Sequence, residues 1–259
     1  MPGPLLAVDA PFVLYRSFYA LPDSIHGSVG RPVNALLGAV NLLLRIAADR
    51  GPRAIVMCFG ADAAPYRTEL FPAYHADRPP VPDPLAWQFE RAPELFSAFD
   101  WDIESSPELE ADDLLGALAS VEADAGGRAL IVTGDRDMFQ CVSDQVSVLL
   151  LKSGISGFEE MDPDAVRRRY GVGPELVPDF IALRGDPSDG LPCAGSRCPG
   201  RPGARRPTRS ASTRSGGARR PRRRSLPRAN RTSRGASPPS WGRFPARPAG
   251  RQTDRPAAR

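Results

Sequence analysis

Eight carboxylates fall in four short groups along the chain, and together they suit a metal-dependent reaction. The groups are Asp9; Glu110, Asp112 and Asp113; Asp135 and Asp137; and Asp186 and Asp189. If the fold gathered them without cations, their like charges would repel one another strongly. Mg²⁺ or Mn²⁺ would relieve that repulsion, because both ions prefer hard oxygen ligands. Two such ions about 4 Å apart activate water and stabilise an in-line phosphoryl displacement, so the pattern indicates phosphoryl hydrolysis.

Each group also has a simpler structural explanation when it is taken alone. Asp112 and Asp113 would complement the dipole at the start of a helix. Asp135 and Asp137 fit a turn or a cap, and the last two acids lie in a glycine-flanked loop. Asp9 has the weakest structural explanation, because it directly follows an apolar strand. The coincidence of all four groups favours one shared site.

The elements that carry these acids predict an α/β fold. Short apolar runs predict strands over residues 5–8, 54–59, 101–104, 129–133 and 146–151. Amphipathic periodicity predicts helices over residues 34–48, 85–99, 111–125, 163–170 and 175–183. Strands that alternate with helices favour a mainly parallel sheet with helices on both faces. Asp9 and Asp135 each follow a strand, so we expect them to meet beyond its carboxyl edge, where ligands bind in such folds.

The charge of the chain divides sharply near residue 192. Residues 193–259 contain 19 of the 34 cations, all of them arginine, and one of the 30 acids, Asp254. Residues 1–192 therefore hold 15 cations against 29 acids. About 190 residues of ordinary apolar content can bury the core of one α/β domain. The segment after them has no Val, Ile, Met or Tyr and cannot offset its ordering entropy by burial, so we predict that it is disordered.

Hydropathy and cysteine usage exclude two further classes of protein. No apolar run approaches the 18 or so residues that a membrane helix needs, which argues against an integral membrane protein. The four cysteines lack CxxC pairing, and Cys58 and Cys141 lie in apolar runs. This usage suits buried, reduced thiols better than a disulfide framework or a zinc site. We therefore expect a cytoplasmic protein.

The sequences around the acids resemble those of a known family. They are LLAVD ending at Asp9, EADD at 110–113, TGDRDM at 133–138 and LRGDPSDGLP at 183–192. Four motifs in this order resemble the 5′-nuclease family, which includes the 5′–3′ exonuclease domain of bacterial DNA polymerase I, stand-alone bacterial exonucleases and flap endonucleases. The resemblance implies a PIN-like fold with a helical arch in residues 1–192. It also implies hydrolysis of DNA at free 5′ ends and flaps with two Mg²⁺ or Mn²⁺ ions and no organic cofactor.

The resemblance also implies roles for individual residues. Asp9 and Asp112 would serve the first ion, with Glu110 and Asp113 close by. Asp135, Asp137 and Asp186 would serve the second ion, supported by Asp189. A proline-rich stretch at about 66–95 matches the arch. Its candidate DNA contacts are Arg67, Tyr74, His75 and Arg78, because guanidinium groups suit phosphates and aromatic faces suit unpaired bases.

Three features depart from the family pattern. The family usually has Asp directly after the second strand, whereas this chain has Gly60, with Asp62 two residues on as a possible substitute. His75 stands where the family usually has Lys. The helix-three-turn-helix module that normally follows Pro192 is not recognisable. We interpret residues 193–259 as the product of a frameshift, since GC-rich codons supply Arg, Pro, Ala, Gly and Ser in any frame; the rival interpretation is a basic tail that binds DNA non-specifically.

Two other functions remain compatible with the sequence. A PIN-like metal-dependent RNase would share the acidic sheet edge, although such enzymes usually lack the arch and the Gly-Asp-x-x-Asp loop. A non-catalytic DNA-binding protein would bind through the basic tail and hold metal too weakly to cleave.

Overall fold

The computed structural model describes residues 3–76, 78–151, 157–186, 189–192 and 194. Within these ranges six strands form one sheet. They are β1 (Leu5–Asp9), β2 (Ala54–Phe59), β3 (Asp102–Ser105), β4 (Ala129–Thr133), β5 (Val146–Leu151) and β6 (Phe158–Met161). The strand order is β3-β2-β1-β4-β5-β6, and all neighbouring strands run parallel except the antiparallel pair β5 and β6. The predicted disordered tail lies outside the described residues, apart from Ala194.

Helices connect the strands and flank the sheet. They are α1 (Ala10–Ala20), α2 (Asn34–Arg50), α3 (Pro65–Leu70), α4 (Asp83–Ser97), α5 (Ala111–Asp124), α6 (Pro163–Tyr170) and α7 (Val177–Arg184), with 3-10 turns at Asp137–Cys141 and Pro174–Leu176. In the described part of the chain, no helix combines the length and apolar character that crossing a membrane requires. The sequence did not predict α1, α3 or β6. It also predicted a single helix over 175–183, where the structure has a 3-10 turn followed by α7.

The core lies on both faces of the sheet, which confirms the predicted fold class. Along β1, Leu6 and Val8 belong to one apolar cluster while Leu5 and Ala7 belong to the other. Helices α1, α2 and α4 pack in the first cluster, and α5 and α6 contribute to the second. Burial on both faces explains why the parallel strands are continuously apolar rather than alternating.

A buried glutamine joins α4 to the start of α2. Gln88 is fully buried, and its Oε1 accepts hydrogen bonds from the amides of Ala35 (2.8 Å) and Leu36 (3.2 Å). Its Nε2 donates to Asn34 Oδ1 at 3.1 Å. Since the first amides of a helix have no partner within the helix, Gln88 supplies the cap that α2 otherwise lacks. The proline-rich stretch therefore leads into a helix that is firmly tied to the core.

Candidate active site

The carboxyl edge of the sheet holds Asp9 in a fixed orientation. Asp9 ends β1 and caps α1, because its Oδ1 accepts the amide of Phe12 at 2.9 Å. Its Oδ2 accepts the hydroxyl of Thr133 at 2.8 Å. The same hydroxyl accepts the amide of Asp135 at 3.1 Å. Thr133 thus joins the ends of β1 and β4, a positioning role that we did not assign from the sequence although Thr133 lies in the TGDRDM motif.

Asp9, Asp112 and Asp135 form the inner part of the acidic site. Burial raises the pKa of Asp9 to about 6, and the charge of Asp135 contributes to that rise. Burial also raises the pKa of Asp112 to about 8, reinforced by the charges of Asp9, Asp135 and Glu110. A bound cation would favour the ionised form of these carboxyls and so offset the burial and repulsion that raise their pKa values. The trio is therefore suited to a cation.

A second group of acids lies beside the first. Carboxylate oxygens of Asp137, Asp186 and Asp189 all lie within 4.8 Å of one another. Burial raises the pKa of Asp137 to about 7, and the negative charges of Asp135, Asp186 and Asp189 add smaller contributions to the rise. Reciprocal backbone hydrogen bonds between Asp186 and Leu191, at 3.0 and 2.7 Å, close the loop that carries two of these acids. Three hard oxygen donors at this separation fit one divalent ion.

This grouping differs in detail from the expected pairing. The expectation placed Asp135 with Asp137 and Asp186 and gave Asp189 a supporting position. In the structure Asp135 is hydrogen-bonded to Asp112, and its charge also raises the pKa of Asp137, so it is near both groups. Asp189 is a full member of the second group.

Glu110 and Asp113 are held by side chains of the proline-rich stretch. Arg67 donates to Glu110 Oε2 at 2.8 Å and to Asp113 Oδ1 at 2.7 Å. Tyr74 donates its hydroxyl to the same oxygen of Glu110 at 2.9 Å. Arg67 and Tyr74, which we expected to face DNA, therefore face the acidic site in this structure. Tyr74 is buried, whereas a base-stacking residue needs an exposed ring face.

The other two expected DNA contacts lie next to Asp189. His75 Nε2 lies 3.1 Å from Asp189 Oδ1, and its Nδ1 lies 2.8 Å from the carbonyl oxygen of Asp62. Both ring nitrogens thus face acceptors within the protein, and the side chain is buried, so the ring has no nitrogen free for a phosphate. The guanidinium of Arg78 is more exposed and lies 3.7 Å from Asp189. Of the four residues, Arg78 is the one most open to an incoming phosphate.

The structure gives a physical reason for Gly60. A Cβ atom at this position would lie 2.2 Å from the amide nitrogen of Ala111 and 2.3 Å from the carbonyl carbon of Glu110. The chain after β2 therefore packs directly on the start of α5, and a side chain would collide with backbone. The side chain of Asp62 is mostly exposed and pairs with Arg78 at 3.4 Å. In this structure Asp62 does not take the place of the missing carboxylate.

Comparisons with known proteins agree with this architecture. Residues 4–171 match the family model described as 5′-3′ exonuclease, N-terminal resolvase-like domain. The DNA polymerase I of Mycobacterium bovis is 39% identical over 189 residues, which cover 73% of this chain and 21% of the relative. A 5′-3′ exonuclease of Mycobacterium tuberculosis is 35% identical over 212 residues, covering 74% of this chain and 66% of the relative. The chain thus spans about a fifth of the length of the polymerase relatives.

Solved structures show the same fold. The T5 5′-exonuclease with divalent zinc ions bound has a TM-score of 0.58 at 16% identity, covering 75% of this chain and 71% of its own. A bacteriophage T5 flap endonuclease in a pseudo-enzyme-product complex with DNA and metal ions has the same TM-score, identity and coverage. These likenesses, together with the sheet and its flanking helices, confirm the expected fold class.

Proposed function

We propose a function for this chain from the premise that it belongs to the 5′–3′ exonuclease family. The chain hydrolyses DNA phosphodiesters at free 5′ ends and at 5′ flaps. The observation that carries this proposal is the gathering of acids from separate elements at the carboxyl edge of the sheet. Three of them, Asp9, Asp112 and Asp137, have raised pKa values that a divalent cation would offset.

The residues present fit divalent metal ions, and we assign two sites for Mg²⁺ or Mn²⁺. The first site is formed by Asp9, Asp112 and Asp135, and the second by Asp137, Asp186 and Asp189. Bound ions supply an activated water and a counter-charge for the phosphate. The chain itself fixes the ligands: Thr133 and the amide of Phe12 orient Asp9 before any ion arrives. Such preorganisation lowers the cost of assembling the site.

Arg78, beside the second site, would bind the DNA backbone. The guanidinium of Arg78 is partly exposed and lies 3.7 Å from Asp189, so a phosphate held by it is next to the acids. A guanidinium group suits phosphate oxygens, and such a contact fixes position rather than sequence. The reduced, unpaired Cys58 and Cys141 agree with a cytoplasmic location.

The test is cleavage of a 5′-labelled flap DNA by purified protein in Mg²⁺ and in Mn²⁺. Asp137→Asn removes one charge from the second site and should lower activity by about 100-fold or more, since even outer contacts of a metal site are worth 10–100-fold. The matched control is Asp164→Asn, an exposed acid of α6 that pairs with Arg167 at 3.2 Å, and it should leave the rate unchanged.

Other outcomes would replace the proposal. Cleavage of a matched RNA flap with no cleavage of DNA would favour the RNase alternative. DNA binding without cleavage in either metal, lost when residues 193–259 are removed, would favour a non-catalytic DNA-binding protein.

A further inference from the structure

Arg67 lies at the centre of a hydrogen-bonded network that the proposed reaction does not require. Its guanidinium binds two acids through different nitrogens, Glu110 at 2.8 Å and Asp113 at 2.7 Å. It also donates to the hydroxyls of Tyr66 at 2.7 Å and Tyr74 at 3.0 Å. A guanidinium that makes four such contacts within the protein has little capacity left for a DNA phosphate.

The partners of Arg67 are themselves satisfied, which makes the network self-contained. Tyr74 donates to Glu110 Oε2 at 2.9 Å, and Tyr66 donates to Asp113 Oδ1 at 3.2 Å. The other oxygen of Glu110 accepts the amide of Ala64 at 2.8 Å. Burial lowers the pKa of Arg67, but its tyrosine hydrogen bonds and the charge of Glu110 outweigh burial and raise it, so the guanidinium stays charged.

The network fixes the first turn of α5. Glu110 and Asp113 form a reciprocal capping box, in which the amide of Glu110 donates to Asp113 Oδ2 at 3.0 Å. Asp112 lies between these two acids in sequence, but its side chain is hydrogen-bonded to Asp135, which follows β4 at the sheet edge. Neighbouring acids of one helical turn therefore have opposite surroundings: two are paired with Arg67, and Asp112 faces the acids at the sheet edge.

We propose that Arg67 is a positioning residue: it is the built-in counter-ion of Glu110 and Asp113, and by holding both it presents Asp112 alone to the metal site. It does not serve as a DNA contact. The last step rests on the proposed function, since it assumes that Asp112 binds metal. The pairing itself is independent of catalysis, so it can be tested without cleavage.

The first experiment is a double-mutant cycle in metal-free full-length protein, read as melting temperature. Arg67→Met removes the charge at similar volume and should lower Tm by about 5 °C or more, because it leaves one buried and one partly buried carboxylate without a counter-ion. In a Glu110→Gln background, Arg67→Met should lower Tm by clearly less, because one of the two carboxylate charges has already been removed. Arg67→Lys, which keeps the charge, should recover part of the lost Tm. An equal loss in both backgrounds would overturn the proposal.

The second experiment measures binding of flap DNA in EDTA as a function of salt. For a positioning residue, Arg67→Met should leave the affinity within about two-fold and the slope of log K against log salt unchanged. The matched variant Arg78→Met should weaken binding and reduce the slope by about 1, as loss of a phosphate contact does. If Arg67→Met reduces the slope and leaves Tm unchanged, Arg67 is a phosphate contact. Neither readout depends on cleavage, so an inactive protein would count against the nuclease proposal alone.

Discussion

Replacing Asp112 by Asn should stabilise the metal-free protein at pH 8 while it removes a metal ligand. Burial and the charges of Asp9 and Asp135 raise the pKa of Asp112 to about 8 from an ordinary value of 3.8. Below about pH 4 the carboxyl is protonated in both the folded and the unfolded chain, so it imposes no penalty. Between pH 4 and pH 8 the unfolded chain releases the proton and the folded chain keeps it, so stability falls as pH rises.

The size of this penalty follows from the two pKa values. If Asp112 titrated alone, their separation would correspond to about 6 kcal/mol at pH 8. The titration of Asp112 is coupled to that of neighbouring acids, and structural relaxation and water entry screen the buried charge. We therefore expect a penalty of about 2 kcal/mol in the free energy of unfolding. For a domain of this size that gain corresponds to a rise in Tm of about 6 °C.

The assay is thermal unfolding in EDTA at pH 4, 6 and 8, with Asp23→Asn as a control because Asp23 is exposed in the loop after α1. Asp112→Asn should gain Tm progressively from pH 4 to pH 8, and the control should not change. Adding Mn²⁺ at pH 8 should raise the Tm of the wild type more than that of the variant, because ligand binding stabilises the folded state. A gain as large at pH 4 as at pH 8, or no gain at pH 8, would refute the electrostatic reasoning.

Three further substitutions or reactions test the geometry around the site. Gly60→Asp restores the carboxylate that is usual in the family, but its Cβ would collide with the amide of Ala111. The variant should therefore have a lower Tm and no higher activity. A stable, more active variant would contradict this packing. Thr133→Val removes the hydrogen bond to Asp9 and should weaken Mn²⁺ binding by about 10-fold in calorimetry, and an unchanged affinity would show that Asp9 needs no support. Burial raises the pKa of Cys58 to about 12, so peptide mapping after maleimide treatment at pH 8 should find its thiol unmodified until the protein unfolds.

The sequence predicted the central strands well because they are buried on both faces. β2, β4 and β5 have the expected bounds, since each is a short apolar run closed by polar or turn residues. α1 was missed because its apolar residues run almost continuously after Pro11, so no helical period stands out; the cap from Asp9 starts it. β6 was missed because it is a polar edge strand of four residues that exists only through its pairing with β5.

The gathering of the acids at one edge of the sheet could be predicted from the sequence, whereas their individual contacts could not. Strand ends in a parallel sheet share one edge, so Asp9 and Asp135 had to approach each other whatever the loops did. Which acids pair with a basic side chain depends on contacts between segments that are distant in sequence. Arg67 and Glu110 are 43 residues apart, and no local periodicity signals their contact. The roles of Thr133 and Gly60 likewise depend on the close approach of segments that are separate in sequence.

The division of the acids into two kinds explains how the site can fold before metal binds. If every acid had a side-chain counter-ion, as Glu110 and Asp113 have, the cluster would be stable but would have no need of a metal ion. If none had one, the repulsion that adds to burial in raising the pKa of Asp9 and Asp112 would extend along the whole first turn of α5. At the start of α5, Arg67 confines the uncompensated charge to Asp112. Arg67 therefore lowers the electrostatic cost of folding without metal. It also determines where a bound metal ion relieves the most repulsion.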